Sequence, residues 1–161
     1  MEKKITCGML VCTEHGFLAL LPTGRKDEPG NYDIAKGCKE ELEGVYTTAE
    51  RELKEETGLD MKYLMHNTDV DIHSFGINPY LKEKDLYLFV VEINDIDKFF
   101  DFKCTSFFET ENGVELPEMK DYKWVRNIEY YFKSLRKCFN NLRQNNNEFD
   151  EILKKYENDR C

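Results

Sequence analysis

Apolar and polar positions follow two different periods along this chain. Residues 5–12 (I-T-C-G-M-L-V-C) and 17–21 (F-L-A-L-L) are short apolar runs with His15-Gly16 between them, and are read as two strands joined by a turn. Residues 22–31 hold two prolines and two glycines and are read as a loop. An extended piece, Tyr32–Ala35, leads to Gly37. Thr47 or Thr48 is then placed to cap a helix that runs to Thr57 and stops at Gly58. Residues 69–77 and 84–93 are expected as strands, the second (D-L-Y-L-F-V-V-E-I) being strongly β-forming. A short strand is expected near Thr105–Phe108 and another at Tyr122–Val125. From Asn127 the period changes. Ile128, Tyr131, Phe132, Leu135, Cys138, Phe139 and Leu142 keep the three-and-four spacing of one buried helix face, with Asn127 as cap.

The order β-β-β-α-β-β-β-α predicts an α/β protein with helices on the faces of a mixed sheet. Residues 1–143 are expected as one domain. Q-N-N-N-E at 144–148 breaks the helical pattern, so residues 144–161 are expected as a polar linker and a short C-terminal helix.

Composition narrows the picture. At 161 residues the chain is long enough to bury a core without staples. A formal net charge of −9 disfavours non-specific binding to nucleic acid or acidic lipid. The longest apolar runs are too short to span a bilayer, and no signal-peptide h-region is read after the initial Met-Glu-Lys-Lys. Six irregularly spaced cysteines, none in a C-x-x-C pair, fit thiols in a reducing cytoplasm. His15, His66 and His73 show no metal-ligand spacing.

The informative stretch is E-R-E-L-K-E-E-T-G-L, residues 50–59. On a helix, Glu52, Glu55 and Glu56 stand at i, i+3 and i+4 and share one face. Like charges at that spacing cost about 0.2–0.5 kcal/mol per pair. Arg51 can reach Glu55, but Glu52 is followed one turn on by another glutamate. The stripe makes sense if a hard divalent cation completes it, since Mg²⁺ takes oxygen ligands from carboxylates and substrate phosphates.

The spacing extends beyond the stripe. From Gly37 to Leu59 the chain fits G-x5-E-x7-R-E-U-x-E-E-x-G-U, with U a bulky aliphatic residue, through Gly37, Glu43, Arg51, Glu52, Leu53, Glu55, Glu56, Gly58 and Leu59. Chance agreement at the seven fixed identities is roughly one in 10⁸ per start point. This segment resembles the signature of the Nudix hydrolases. The resemblance implies an α/β/α sandwich and cleavage of nucleoside diphosphates linked to another group. It implies that Glu52 and Glu56, with Glu55 and the Gly37 carbonyl, bind Mg²⁺, or Mn²⁺ in its place. It implies Glu55 as first candidate for the base, and Arg51 and Glu43 as holders of the loop–helix geometry.

Two further segments resemble the branch of diadenosine polyphosphate hydrolases and RNA 5′-pyrophosphohydrolases. Tyr32–Gly37 is similar to W-x-x-P-K-G, with Tyr for Trp and Ala for Pro. Pro117–Val125 is similar to P-E-F-x-x-W-x-W-V, which makes Glu118 a second candidate base or metal ligand. The choice between Glu55 and Glu118 stays open. The same likeness implies Tyr80 and Phe132 as base-stacking residues and Lys84 as a phosphate contact; Lys4 and Lys36 are further candidate phosphate contacts through charge-assisted hydrogen bonds. Phe132 also fits the core face of its helix, and Trp124 is expected in the core. The implied partner is a nucleotide: a dinucleoside polyphosphate, an RNA 5′ end, or in the alternative ADP-ribose, a nucleotide sugar or FAD. The chain would act as a monomer or homodimer, away from membranes. A catalytically silent nucleotide-binding module is the competing class, but all four glutamates of the signature are present.

Overall fold

The computed structural model describes residues 2–157; Cys161 and the other residues of 158–161 lie outside the described residues. Two strands, β1 (Lys4–Thr13) and β2 (Gly16–Pro22), form the expected hairpin. Gly16 sits at φ +116, and a Cβ there would lie 2.5 Å from the Val125 carbonyl oxygen, so the turn requires glycine. β3 (Ala35–Cys38) precedes helix α1 (Val45–Thr57), which is followed by a short helix α2 (Met61–Asn67). Strands β4 (Val70–Leu81) and β5 (Lys84–Ile93) come next. A small hairpin of β6 (Phe107–Glu109) and β7 (Glu115–Pro117) leads to β8 (Met119–Val125). A 3₁₀ turn (Ile128–Tyr130), α3 (Lys133–Asn145) and α4 (Asn147–Glu157) complete the chain.

The main sheet runs β4-β5-β1-β2-β8 and is mixed, with β1 and β5 parallel. The other edge of β1 is divided: β3 pairs with Thr6–Met9, and β2 with Cys12 and Thr13. Both faces of the sheet are covered, so the strand alternation sorts side chains into two cores. Leu10, Cys12, Phe17, Ala19, Leu86, Leu88 and Val90 pack with α3 and α4. Cys7, Met9, Val11, Leu18, Leu20, Phe89 and Val91 pack with α1 and α2. This is the expected α/β layering. No described helix is long and apolar enough to cross a membrane. Cys7, Cys12, Cys38, Cys104 and Cys138 are free thiols.

Several elements differ from the sequence pattern. α1 begins at Val45 after Gly44, not at a threonine cap. Thr48 is buried, and its hydroxyl donates to Glu43 Oε1 at 3.1 Å. α2 had no periodic signal because it is only seven residues long; Asp60 caps it by accepting from the Lys62 amide. β4 extends to Leu81 past a register shift between Ser74 and Ile77. Asn127 caps the 3₁₀ turn, and α3 starts only after Phe132. The break is imposed by Tyr131, which is extended. Its phenol reaches the Leu18 carbonyl at 2.7 Å, and the Phe132 amide bonds to the Tyr32 carbonyl at 2.8 Å.

The polar stretch 144–148, expected as a linker, is taken up by the end of α3 and the start of α4, with Asn146 alone between them. Phe149, Ile152, Leu153 and Tyr156 follow at helical spacing and enter the same core as α3. Arg143 grips Glu157 through two bonds of 2.7 and 2.9 Å and Asp150 at 2.9 Å. Trp124 is partly buried, with its indole N–H on the Lys98 carbonyl at 3.1 Å.

Candidate active site

The acidic stripe lies on α1, whose residues Ala49 and Leu53 anchor it on one core. Gly37, on the adjoining β3, is pressed against it. A Cβ on Gly37 would fall 2.2 Å from both Cδ and Oε1 of Glu52, so only glycine leaves the space between the β3 backbone and the Glu52 carboxylate open. Glu56 is 1 % exposed, and its Oε1 has no hydrogen-bond partner. Burial, reinforced by the adjacent Glu52, pushes the Glu56 carboxyl far above the ordinary range.

Arg51 organises the rim. Its Nε and Nη2 hold the two oxygens of Glu43 at 2.9 Å each, and its Nη1 reaches Glu52 at 3.0 Å. The same Nη1 lies 3.2 Å from both oxygens of Glu55. Glu55 is therefore turned toward Arg51, while Glu52 and Glu56 remain close to each other.

Beside Glu52 lies a cleft of about 440 Å³, and the buried Glu56 is not among its lining residues. The lining includes Lys36, Gly37, Glu52, Tyr80, Lys84 and Glu118. Lys36 comes from β3, Tyr80 and Lys84 from the β4–β5 turn, and Glu118 from the junction of β7 and β8. A register shift between Leu21 and Pro22, opposite Asp121 and Met119, irregularises the strand beside Glu118. Its amide donates to the Ser106 carbonyl, and its carbonyl accepts from the Thr23 amide, both at 3.0 Å. Burial, then the charges of Glu52 and Glu55, raise the Glu118 carboxyl above its ordinary value. Burial alone would lower the Lys36 ammonium, but Asp33, 2.8 Å away, together with Tyr80 and Glu56, outweighs it and holds the cation charged. The Lys36 ammonium also stands 6.0 Å from the centre of the Tyr80 ring.

Of the candidate residues, Glu55, Glu56, Arg51, Lys4 and Phe132 do not line this cleft. Lys4 is exposed at the start of β1, where it flanks a neighbouring pocket with Lys82 and Lys84. Phe132 is half-buried ahead of α3, with the Arg25 guanidinium 5.2 Å above its ring. Asp33 was missed as a site residue. Its position three residues before Lys36 was the available signal, but the bridge Leu20↔Asp33 that buries it has no local signature.

The donor set suits a divalent cation in a specific way. Among the described residues, no three His, Cys, Asp or Glu side chains converge as a ready-made metal site. The fit comes from the orphaned oxygen of Glu56, the adjacent Glu52 and the space kept open at Gly37. Mg²⁺ is characteristically held by one or two carboxylates together with substrate phosphates.

The family model for the NUDIX domain matches residues 2–142. The chain is 30 % identical over 149 residues to an uncharacterized 17.7 kDa protein in the e-segB intergenic region of Enterobacteria phage T4, covering 87 % of this chain and 95 % of that one. Its fold is similar to a MutT protein from Methanosarcina mazei Go1, with a TM-score of 0.55, 22 % identity, and 90 % and 96 % of the two chains covered. It is similar also to an Ap4A hydrolase of C. elegans, with a TM-score of 0.51, 16 % identity, and 94 % of each chain covered.

Proposed function

The chain belongs to the Nudix family, and we propose that it is a divalent-cation-dependent pyrophosphohydrolase that cleaves a phosphoanhydride in dinucleoside polyphosphates or at RNA 5′ ends. The observation that carries the reading is the unpartnered, buried Glu56 oxygen next to Glu52, which itself lines a cleft with Lys36 and Lys84. A buried carboxylate without a partner is costly, and a cation joined to phosphate oxygens relieves that cost. Likeness of fold to an Ap4A hydrolase supports the substrate class.

In this reading Glu52, Glu56 and the Gly37 carbonyl hold Mg²⁺ or Mn²⁺. The cation, when bound, neutralises phosphate charge and lowers the pKa of water. Lys36 and Lys84 meet further phosphate oxygens through charge-assisted bonds. Tyr80 offers a face for a nucleobase, a contact of about 1–3 kcal/mol. Arg51 fixes Glu43, Glu52 and Glu55 relative to one another. Glu118 is the better-placed base. Its carboxyl lines the cleft and its proton affinity is raised, whereas Glu55 is held by Arg51.

The test is turnover of Ap3A, Ap4A, ADP-ribose, FAD and triphosphorylated RNA with Mg²⁺ or Mn²⁺, with products resolved. Cation-dependent cleavage of Ap4A, Ap3A or the RNA end, faster than of ADP-ribose or FAD, is expected. Preference for ADP-ribose or FAD would replace the substrate class, and no turnover of any compound would end the enzymatic reading.

A further inference from the structure

We propose that Tyr122 is a positioning residue for the cation site, acting through the backbone of α1; this rests on Glu52 and Glu56 being the cation's ligands. The last carbonyls of a helix have no partner within it. In α1 the Gly58 amide closes onto the Lys54 carbonyl at 2.9 Å. The next three carbonyls are each taken by a distant part of the chain. The Thr105 amide donates to Glu55 at 2.6 Å and the Lys103 amide to Thr57 at 3.0 Å. Between them, the Tyr122 phenol donates to the Glu56 carbonyl at 2.5 Å.

These bonds form a closed circuit. Residues 103–105 lie along the end of α1, and Ser106, next in the chain, accepts from the Glu118 amide at 3.0 Å. Glu118 then leads into β8, which carries Tyr122 back to Glu56. Glu55, Glu56 and Glu118 are thus held in one frame, and Tyr122 is its side-chain link on Glu56. The phenol is well prepared for that task. Its ring stacks on Phe102, with centroids 4.9 Å apart and planes 24° apart. Mg²⁺ demands near-ideal ligand geometry, and the last turn of α1 sets where the Glu56 carboxylate points.

The experiment is Mn²⁺ binding, followed by electron paramagnetic resonance without substrate, in the wild type, Tyr122→Phe, Trp124→Phe and Glu56→Gln. Tyr122→Phe keeps the ring and removes the tether. We expect about tenfold weaker Mn²⁺ binding, the loss typical when a residue that orients a metal ligand is removed. The KM for nucleotide at saturating cation should not move. Trp124 also packs on Phe102, 5.7 Å between centroids, but its indole N–H goes to the Lys98 carbonyl and not to α1. Trp124→Phe should lower the Tm and leave Mn²⁺ affinity alone. Wild-type affinity in Tyr122→Phe, with binding lost in Glu56→Gln, would overturn the positioning role alone. Equal weakening in Trp124→Phe would reduce the effect to packing. A wild type that binds no Mn²⁺ would overturn both this proposal and the cation reading beneath it.

Discussion

Two glutamates lie on opposite sides of the main sheet, Glu92 partly buried and Glu56 fully buried, and the protein treats them in opposite ways. Glu92, on β5, faces the core shared with α4. Its side chain is 12 % exposed, and it is fully engaged: Lys155 at 2.8 Å and Tyr156 at 2.6 Å on one oxygen, His73 at 2.8 Å on the other. Burial works against its charge, but those donors outweigh burial and hold the carboxyl below its ordinary value. Glu56, on α1, is more deeply buried, has an orphaned oxygen, and has another carboxylate for a neighbour. A satisfied buried acid is part of the architecture that docks α4. An unsatisfied one, beside a glutamate that lines a cleft with two lysines, is a place prepared for something that arrives.

Exchanging the two positions' fates is the most direct way to break that contrast. Glu56→Gln should lower kcat/KM more than about hundredfold, since even partners that merely orient metal ligands are worth 10–100-fold. The metal-free variant should melt no lower than the wild type, because a neutral amide suits that burial better than a second carboxylate. It should also lose any Mg²⁺-induced rise in Tm. Glu92→Ala should do the reverse. Leaving the donors of Tyr156 and His73 without their acceptor should cost about 2 kcal/mol in chemical denaturation, with kcat and the Mg²⁺ response within twofold of wild type. If Glu92→Ala abolished turnover, or Glu56→Gln unfolded the protein while sparing activity, the division of roles would be wrong.

The two regions also differ in how far they could be read from sequence. The α1 side was legible because its chemistry is local: Gly37 through Leu59 sit on one strand, one loop and one helix, at spacings the backbone preserves. What closes that site was not legible. Thr105 and Tyr122 meet Glu55 and Glu56 across 50 and 66 residues, and a backbone carbonyl carries no sequence identity to betray its partner. On the other face a short C-terminal helix was expected, but the polar run at 144–148 concealed how directly it follows α3 and packs into the core. The asparagines of that run lower mean hydropathy, while Phe149, Ile152, Leu153 and Tyr156 keep the i, i+3, i+4, i+7 spacing that marks a buried face. Tyr131 shows the limit from a third side. Its aromatic character placed it in the core correctly, but not its extended backbone, which tertiary bonding to Leu18 and Tyr32 dictates.

The smallest expected effect concerns the acidic limb of stability. The carboxyl of Glu92 is held below its ordinary value of 4.5 in the folded protein. A group with a depressed folded pKa contributes stability that is fully present above the unfolded pKa and is lost as pH falls through the folded one. The donors that set this are Lys155 and Tyr156 on α4 and His73 on β4; Cys12 on β1 also neighbours Glu92, and burial keeps its thiol neutral. Glu148 touches the far side of His73 at 3.2 Å, and Asp71 acts on Lys155. Glu92→Gln keeps an acceptor for Tyr156 but gives up the charge-assisted part of the Lys155 and His73 contacts. Its cost at neutral pH should be about 1 kcal/mol. Urea melts of wild type and Glu92→Gln should stay apart by that amount down to about pH 5 and converge below 4.5, as the carboxylate takes up its proton and the variant has nothing further to lose. A separation that persisted unchanged to pH 3 would mean that charge is not what holds α4 against this edge of the sheet.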